Sequence, residues 1–449
     1  MSTDKHNTKF IVVGGGPGGA LMAAYLGQAG YTVEVYERRP DVRSTEVPAG
    51  RSINLALSFR GICALEGIGI ADQVLASAVP MHGRMLHATS GRLTFQRYGR
   101  DNSQSINSVS RAHLTAMLLD AAQRHSTVQI TFNERCVGVD LDAATIDLEH
   151  AESGQRRTVH GDVIIGADGA FSAVRNQMQY LDRFDYRQDY LQHGYKELTI
   201  PPGPNGRFAM EKHALHIWPR RSFMMIGLPN QDGSFTCTLF WPFDGPNRFS
   251  ALQTEDDVRR FFQATFPDAV PLIPTLAKDY LQNPTSSLHT VRCSPWYYRN
   301  RVALLGDACH AVVPFYGQGM NAAFEDCIVL NECIRRHAPD WERSFREYHT
   351  SRKADVDALA DLALHNFTEM RDHAASSVFQ LKKRAGQWLH RLMPHWFIPL
   401  YSMATFTRIP YTQAIRRARR QKRILTVVGV GVVAILLLLL WMWIGGVGD

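Results

Sequence analysis

One short segment near the start of the chain restricts its fold more than any other. Phe10-Ile-Val-Val13 is an apolar run of strand type, and Gly14-Gly15-Gly16-Pro17-Gly18-Gly19 follows it. Ala20 to Ala29 then reads as a helix ended by Gly30, and Thr32-Val-Glu-Val-Tyr36 as a second strand closed by Glu37. Gly14, Gly16 and Gly19 fill the fixed positions of a G-x-G-x-x-G turn. In such a turn the first glycine permits the tight bend, the second lets backbone approach a pyrophosphate, and the third lets helix and strand pack closely. The helix N-terminus attracts phosphate, and an acid closing the next strand accepts from a ribose hydroxyl. A dinucleotide site is expected, but this unit alone does not separate FAD from NAD.

Two later segments bear on that choice. Residues 162–175, DVIIGADGAFSAVR, read as an apolar strand, a turn at Ala167-Asp168-Gly169 and a helix start. Residues 301–326, RVALLGDACHAVVPFYGQGMNAAFED, read as a strand ending at Gly306-Asp307, after which Gly317-Gln-Gly319 opens a helix. A carboxylate at Asp307 suits a ribityl hydroxyl, and the Met320 and Asn321 amides suit a flavin pyrimidine on which negative charge builds. The three segments together resemble the single-component flavin-dependent aromatic hydroxylases, the class related to p-hydroxybenzoate hydroxylase, over about residues 8 to 335. Gly50-Arg51-Ser52-Ile53-Asn54-Leu55-Ala56-Leu57-Ser58, with Arg60-Gly61, and the stretch Phe397 to Phe406 are similar to the branch of that class that hydroxylates kynurenine.

The resemblance implies an α/β fold: an FAD-binding Rossmann-like domain of the p-hydroxybenzoate hydroxylase type, a β-sheet substrate domain and a C-terminal helical region. It implies FAD held by Gly14, Gly16, Gly18, Gly19, Glu37, Arg38, Arg39, Ala56, Arg111, Cys136, Asp168, Asp307, Gly319, Met320 and Asn321. It also implies NADPH and O₂ as co-substrates, a flavin C4a-hydroperoxide as the hydroxylating species, and 3-hydroxykynurenine as the product, in tryptophan catabolism. No second G-x-G-x-x-G is present, so the nicotinamide is expected to bind transiently. No catalytic side chain is implied, because the flavin carries the chemistry.

L-Kynurenine is a zwitterionic amino acid with an aryl ketone and an aniline ring. Its site needs a cation for the carboxylate, an acceptor for the ammonium and an apolar slot for the ring. Arg84 and Tyr98 lie on two strand-like stretches that would bring a guanidinium fork and a phenol to one carboxylate. The resemblance places Asn366 and Tyr401 at the same carboxylate, with Glu369 and Met370 close to the amine. Asn366 and Glu369, three apart, share a helix face. Thr238 and Phe240 alternate with Thr236 on one strand face, and Pro314, Phe315 and Tyr316 precede the flavin-facing loop. Tyr316 stands where the family often has histidine, and His310 reads as structural.

The C-terminus is of another kind. Ile424 to Ile444 is 21 residues without a charge, long enough as a helix to span roughly 31 Å. Trp441 and Trp443 lie near its end, and residues 416–423, RRARRQKR, precede it. A single transmembrane tail anchor is expected, with the body on the cytoplasmic side: the mitochondrial outer membrane in a eukaryote, the inner membrane in a bacterium. Apart from that basic run and Asp449, the chain carries 43 basic and 41 acidic residues, which gives no support to a nucleic-acid reading. Seven scattered cysteines with no C-x-x-C suit a reducing compartment and offer no metal framework. The polar N-terminus has no apolar signal-peptide core.

The expected organisation is FAD-binding over 1–80, 99–180 and 288–336, substrate domain over 81–98 and 181–287, helical region over 337–423, and anchor over 424–444. Two other readings stay open: a hydroxylase of another aromatic or of a quinone precursor, and a membrane-anchored flavoprotein without turnover.

Overall fold

The computed structural model describes residues 8–44, 54–99, 104–245, 248–369, 393 and 396–445. Met370, residues 50–53 of the signature around Ala56, and the middle of the expected helical region lie outside the described residues.

The glycine turn sits at the centre of a six-stranded sheet. Its order is Tyr297–Tyr298, Val302–Leu304, Val163–Gly166, Lys9–Val13, Thr32–Tyr36, Val128–Thr131. All neighbours are parallel except the Tyr297–Tyr298 edge. Parallel strands are covered on both faces, so they read as continuous apolar runs, and Phe10 to Val12 and Val163 to Ile165 are fully buried. The helix Pro17–Gln28 starts on a proline at its first turn and is buried on every side from Gly19 to Gly27. It packs between the sheet and the helices Arg111–Gln123 and Gly319–His337. Two three-stranded sheets flank this core, Glu134–Asp140 with Thr145–His150 and Arg156–His160, and Asn54–Leu57 with Val79–Met81 and Ile106–Ser110.

A seven-stranded sheet forms the second half, in the order Ser286–Ser294, Asp185–Ile200, Phe235–Pro242, Met224–Pro229, Ala214–Pro219, Gly83–His87, Leu93–Arg97. One face alternates Leu198, Ile200, Trp218, Met225, Phe235, Cys237, Leu239 and Trp241 into a separate core under the helices Glu255–Thr265 and Leu276–Gln282. The other face looks toward the parallel sheet. The strand Ser286–Ser294 belongs to this sheet along its full length, because the 16-residue strand Asp185–Ile200 needs it as a partner on its open edge. The boundary expected at 288 therefore falls inside a strand, and the chain rejoins the parallel sheet at Tyr297.

The helix Trp341–Thr368 crosses the back of the molecule, Leu400–Phe406 returns to the sheet junction, and Tyr411–Gly445 leaves the body. Among the described residues no helix is long and apolar enough to cross a membrane. The run Ile424–Ile444 lies on the last helix, but many of its side chains are outside the described set, so the expected span finds no support there.

Candidate active site

The three sequence motifs meet at the carboxyl ends of adjacent parallel strands, where α/β sheets hold their ligands. Gly14 has φ +104°, and a Cβ there would stand 2.5 Å from the Ala167 carbonyl oxygen, so the first turn and the Asp168 turn fit only without a side chain. A Cβ on Gly19 would collide with the Gly14 carbonyl, whereas one on Gly16 would meet nothing within 4 Å. The middle glycine thus faces open space, as close approach of a pyrophosphate requires. The Gly18 carbonyl accepts from the Cys327 thiol at 3.4 Å, which ties the turn to the helix Gly319–His337.

Glu37 is buried, and its carboxylate accepts from the Gly15 N–H at 2.8 Å and from Arg39 Nε at 2.8 Å. Burial raises its pKa, but the Arg39 bonds outweigh that, so it stays below the usual range. Arg39 is thus spent largely on orienting Glu37, and Arg38 is exposed beside it. Ser172 caps the helix Ala173–Met178, and Asp168 accepts from the Ala173 N–H of its first turn at 2.6 Å through one oxygen. The other Asp168 oxygen is buried and has no partner, and burial raises the group's pKa. Burial, then the charge of Asp168, push the nearby Cys136 thiol up to about 12.

Asp307 is exposed at the end of its strand. Gly319 and Met320 open the helix behind it, and the Asn321 side chain bridges Ala56 O at 2.8 Å, Gly317 O at 3.0 Å and Ser58 N–H at 2.9 Å. Arg111 begins its helix and lies close enough to Glu197 to act on its charge. The residues present fit FAD: an open glycine cradle, an unpartnered buried carboxylate oxygen beside it, an exposed acid at a strand end and a helix N-terminus aimed at the same place.

Facing this cradle, the register of the seven-stranded sheet sets out the substrate end. Arg84 pairs with Gln96 across the strands, so its side chain shares a face with Tyr98, two residues on. The guanidinium lies 5.5 Å from the Tyr98 ring centre and 4.8 Å from that of Tyr401, and the two rings stack at 5.5 Å. Burial opposes the Arg84 charge, but Tyr401 and Tyr98 more than offset it and its pKa is raised. Arg84 Nε and the Tyr98 hydroxyl are buried with no hydrogen-bond partner. Buried polar groups are rarely left so, and the pair fits an absent anion. Tyr316 packs 5.6 Å from Tyr401 with its phenol pushed up by burial, and Glu369 adds to that rise.

Phe240 meets Phe315 edge-on at 4.9 Å, and Phe315 stacks on Phe367 at 4.1 Å, which makes an apolar wall. Thr238 is buried in the row beside it, and Pro314 is exposed at the loop's start. Asn366 donates to the Phe315 carbonyl at 2.5 Å. Its amide nitrogen thus ties the loop of the ring slot to the helix Trp341–Thr368.

Sequence reasoning missed four groups. Phe367 completes the aromatic wall, one residue from the chosen Asn366. Glu197 pairs in register with Thr238, on the pocket face of the sheet, and burial pushes its carboxyl up to about 7 against the pull of Arg111. Tyr411 and Gln318 are joined at 3.2 Å beneath the flavin loop. Arg60, Glu325, Arg352 and Asp326 form a buried ion network there, and His310 sits on Asp326. The outward alternation of strand 185–200 hints at Glu197, but nothing local marks the other partners.

The chain matches the FAD binding domain family over residues 7–363. It is 46% identical over 414 residues to kynurenine 3-monooxygenase of Myxococcus xanthus, covering 92% of this chain and 89% of that protein. It is 45% identical over 431 residues to that of Dictyostelium discoideum, with 93% and 92% covered. For that of Sus scrofa the identity is 44% over 426 residues, with 94% and 89% covered. Among solved structures, 2-methyl-3-hydroxypyridine-5-carboxylic acid oxygenase superposes with TM-score 0.67 at 22% identity, over 82% of this chain and 93% of that one. Pseudomonas aeruginosa PqsL in complex with 2-aminobenzoylacetate gives 0.65 at 21% identity, with 81% and 99% covered.

Proposed function

The chain belongs to the kynurenine 3-monooxygenase family of flavin-dependent aromatic hydroxylases, and on that premise we propose that it hydroxylates L-kynurenine to 3-hydroxykynurenine. NADPH and O₂ are the co-substrates: one oxygen atom enters the ring, the other leaves as water, and NADPH with one proton supplies the two electrons. The observation that carries the substrate class is the buried, unpartnered Arg84 Nε and Tyr98 hydroxyl on the sheet face that looks toward the cofactor cradle. A quinone precursor has no amino-acid head for such a set.

The side chains bind and orient. Arg84, with the Tyr98 and Tyr401 phenols, grips the carboxylate, and Glu369 lies on the side of the ammonium. Phe240, Phe315 and Phe367 confine the aniline ring and keep water from it. Asn366, by holding the Phe315 carbonyl, fixes the wall to the helix Trp341–Thr368. FAD, held by the glycine turn, Glu37, Asp168, Asp307 and the helix start at Met320, supplies electron transfer and oxygen activation. The amino group of the substrate enriches its own ring position ortho to nitrogen, so orientation is the main task left to the protein.

The test is NADPH oxidation with a panel of aromatic amino acids and products identified by mass. Kynurenine should give a product heavier by one oxygen, with ¹⁸O incorporated from ¹⁸O₂. NADPH consumption with no hydroxylated product from any of the panel would defeat the reading.

We also propose that Ile424–Ile444 anchors the body in a membrane, its support being 21 uncharged residues behind a basic run. Resistance of the full chain to alkaline extraction from membranes is the expected result, and release into the supernatant the contrary one.

A further inference from the structure

The helices Trp341–Thr368 and Tyr411–Gly445 diverge at the end of the body from which the apolar run departs, and a cleft of about 660 Å³ opens between them. Its floor is apolar, made of Ala358, Leu362, Leu400, Ile415 and Ala418, all half-buried. Its rim is basic. Arg416, Arg419 and Lys422 line it at a spacing of three, so they stand along one helix edge. Among the described residues none of the three has an ion-pair partner. The acid at the rim, Asp361, is already paired with Arg292 at 2.5 Å. At the same end Trp396 is 83% exposed, and its carbonyl accepts from Gln421 at 3.1 Å, which ties this residue's backbone to the helix just ahead of the uncharged run.

A cleft with cations at its mouth, an apolar floor and an exposed tryptophan beside it has the polarity of a membrane boundary. A free phosphate would satisfy the rim and leave the floor unused, and a neutral lipid would satisfy the floor alone. We propose that this cleft binds one anionic glycerophospholipid, its phosphate on Arg416, Arg419 and Lys422 and an acyl chain along Leu362 and Ile415. The site rests on the anchored reading only for its supply of lipid, since the lining residues, from Ala358 to Lys422, all precede the uncharged run.

The test uses the full chain in a neutral detergent, with native mass spectrometry as readout and dioleoylphosphatidylglycerol as probe. One phosphatidylglycerol should be retained at least about tenfold more tightly than dioleoylphosphatidylcholine. The triple variant R416Q/R419Q/K422Q should lose that preference. Leu362→Trp and Ile415→Trp keep the charges and fill the floor, and both should also lose the lipid. Their flavin content shows whether each has folded, and either one suffices.

Equal retention of the two lipids would overturn the proposal. So would folded tryptophan variants that hold phosphatidylglycerol as the parent does, which would leave only a charged surface. Competition by glycerol 3-phosphate at the lipid's own concentration would do the same. Flotation of the parent chain with pure phosphatidylcholine vesicles is the control: failure there removes the anchor and leaves the detergent assay of the cleft intact.

Discussion

Arg84 carries a full charge into a pocket lined by phenols, and among the described residues no carboxylate neutralises it. Its counter-charge should come with the substrate, so Arg84→Ala should lower kcat/KM by about 2–4 kcal/mol, mostly through KM. Arg84→Lys should recover only part of this, because an ammonium lacks the planar fork. Unchanged steady-state kinetics for the alanine variant would remove Arg84 from the site. Glu197 makes a different prediction. Burial raises its folded pKa to about 7 from 4.5, despite Arg111. Between those values the unfolded chain has lost the proton and the folded chain still holds it, so this group's contribution to stability falls as pH rises through the window. Glu197→Gln should therefore gain stability over the parent by about 1 kcal/mol at pH 8, after allowance for solvent screening of a half-buried group, and by almost nothing at pH 4.5. Thermal melts of both proteins across that range measure it, and parallel pH curves would show that Glu197 does not titrate there.

Among the elements, the helix Gly319–His337 does two tasks at once. Its first turn faces the cofactor cradle, while Glu325 and Asp326, two turns on, are buried against Arg60 and Arg352. Burial pushes the Asp326 pKa up, but His310 and Arg352 more than offset this and keep it ionised. Arg352→Met would leave Asp326 on His310 alone and Glu325 short of one partner. Losing one member of a buried ion pair costs about 3–5 kcal/mol, so this variant should melt at lower temperature and release flavin more readily; a melting point equal to the parent's would count against the network. These partners also mark the limit of what could be read in advance. The glycine turn was legible because each of its constraints lies within about thirty residues of chain. Arg60 and Glu325 are 265 residues apart, and nothing near either announces the other. The same holds for the substrate end: the resemblance singles out Arg84, Tyr98 and Tyr401, which the structure brings together, but Glu197 enters only through the register of strand 185–200 on strand 235–242. The boundary expected at 288 failed for the same reason, since strand pairing rather than local composition assigns Ser286–Ser294 to its sheet.

At the scale of the whole molecule, the chain's last third binds its two halves together. Tyr401 reaches the Arg84 pocket, Arg60 donates to the Ala404 carbonyl at 3.2 Å, and its guanidinium lies 4.1 Å from the centre of the Tyr411 ring. Tyr411 bonds Gln318 at 3.2 Å, and Thr412 donates to Asp355 at 2.6 Å. Both Tyr411 and Ala414 are fully buried. The part of the C-terminal segment that the active site needs thus ends near residue 415, several residues before the uncharged run begins. Two truncations separate these roles. A chain cut after Ile415 keeps every contact just named and loses the basic rim and the apolar run; it should be soluble, yellow and able to bind kynurenine. A chain cut after Thr407 also loses Tyr411 and Thr412, leaves the Arg60 guanidinium without its ring and exposes Gln318 beneath the flavin loop. Its folded state should lose several kcal/mol, since buried hydrogen-bonded and apolar groups are stripped together, and its flavin should wash out on gel filtration. If instead both cuts retain flavin and substrate equally, the Arg60–Tyr411 contact holds nothing that catalysis requires. Were the chain cut after Ile415 itself colourless, the segment beyond residue 415 would have to support the fold.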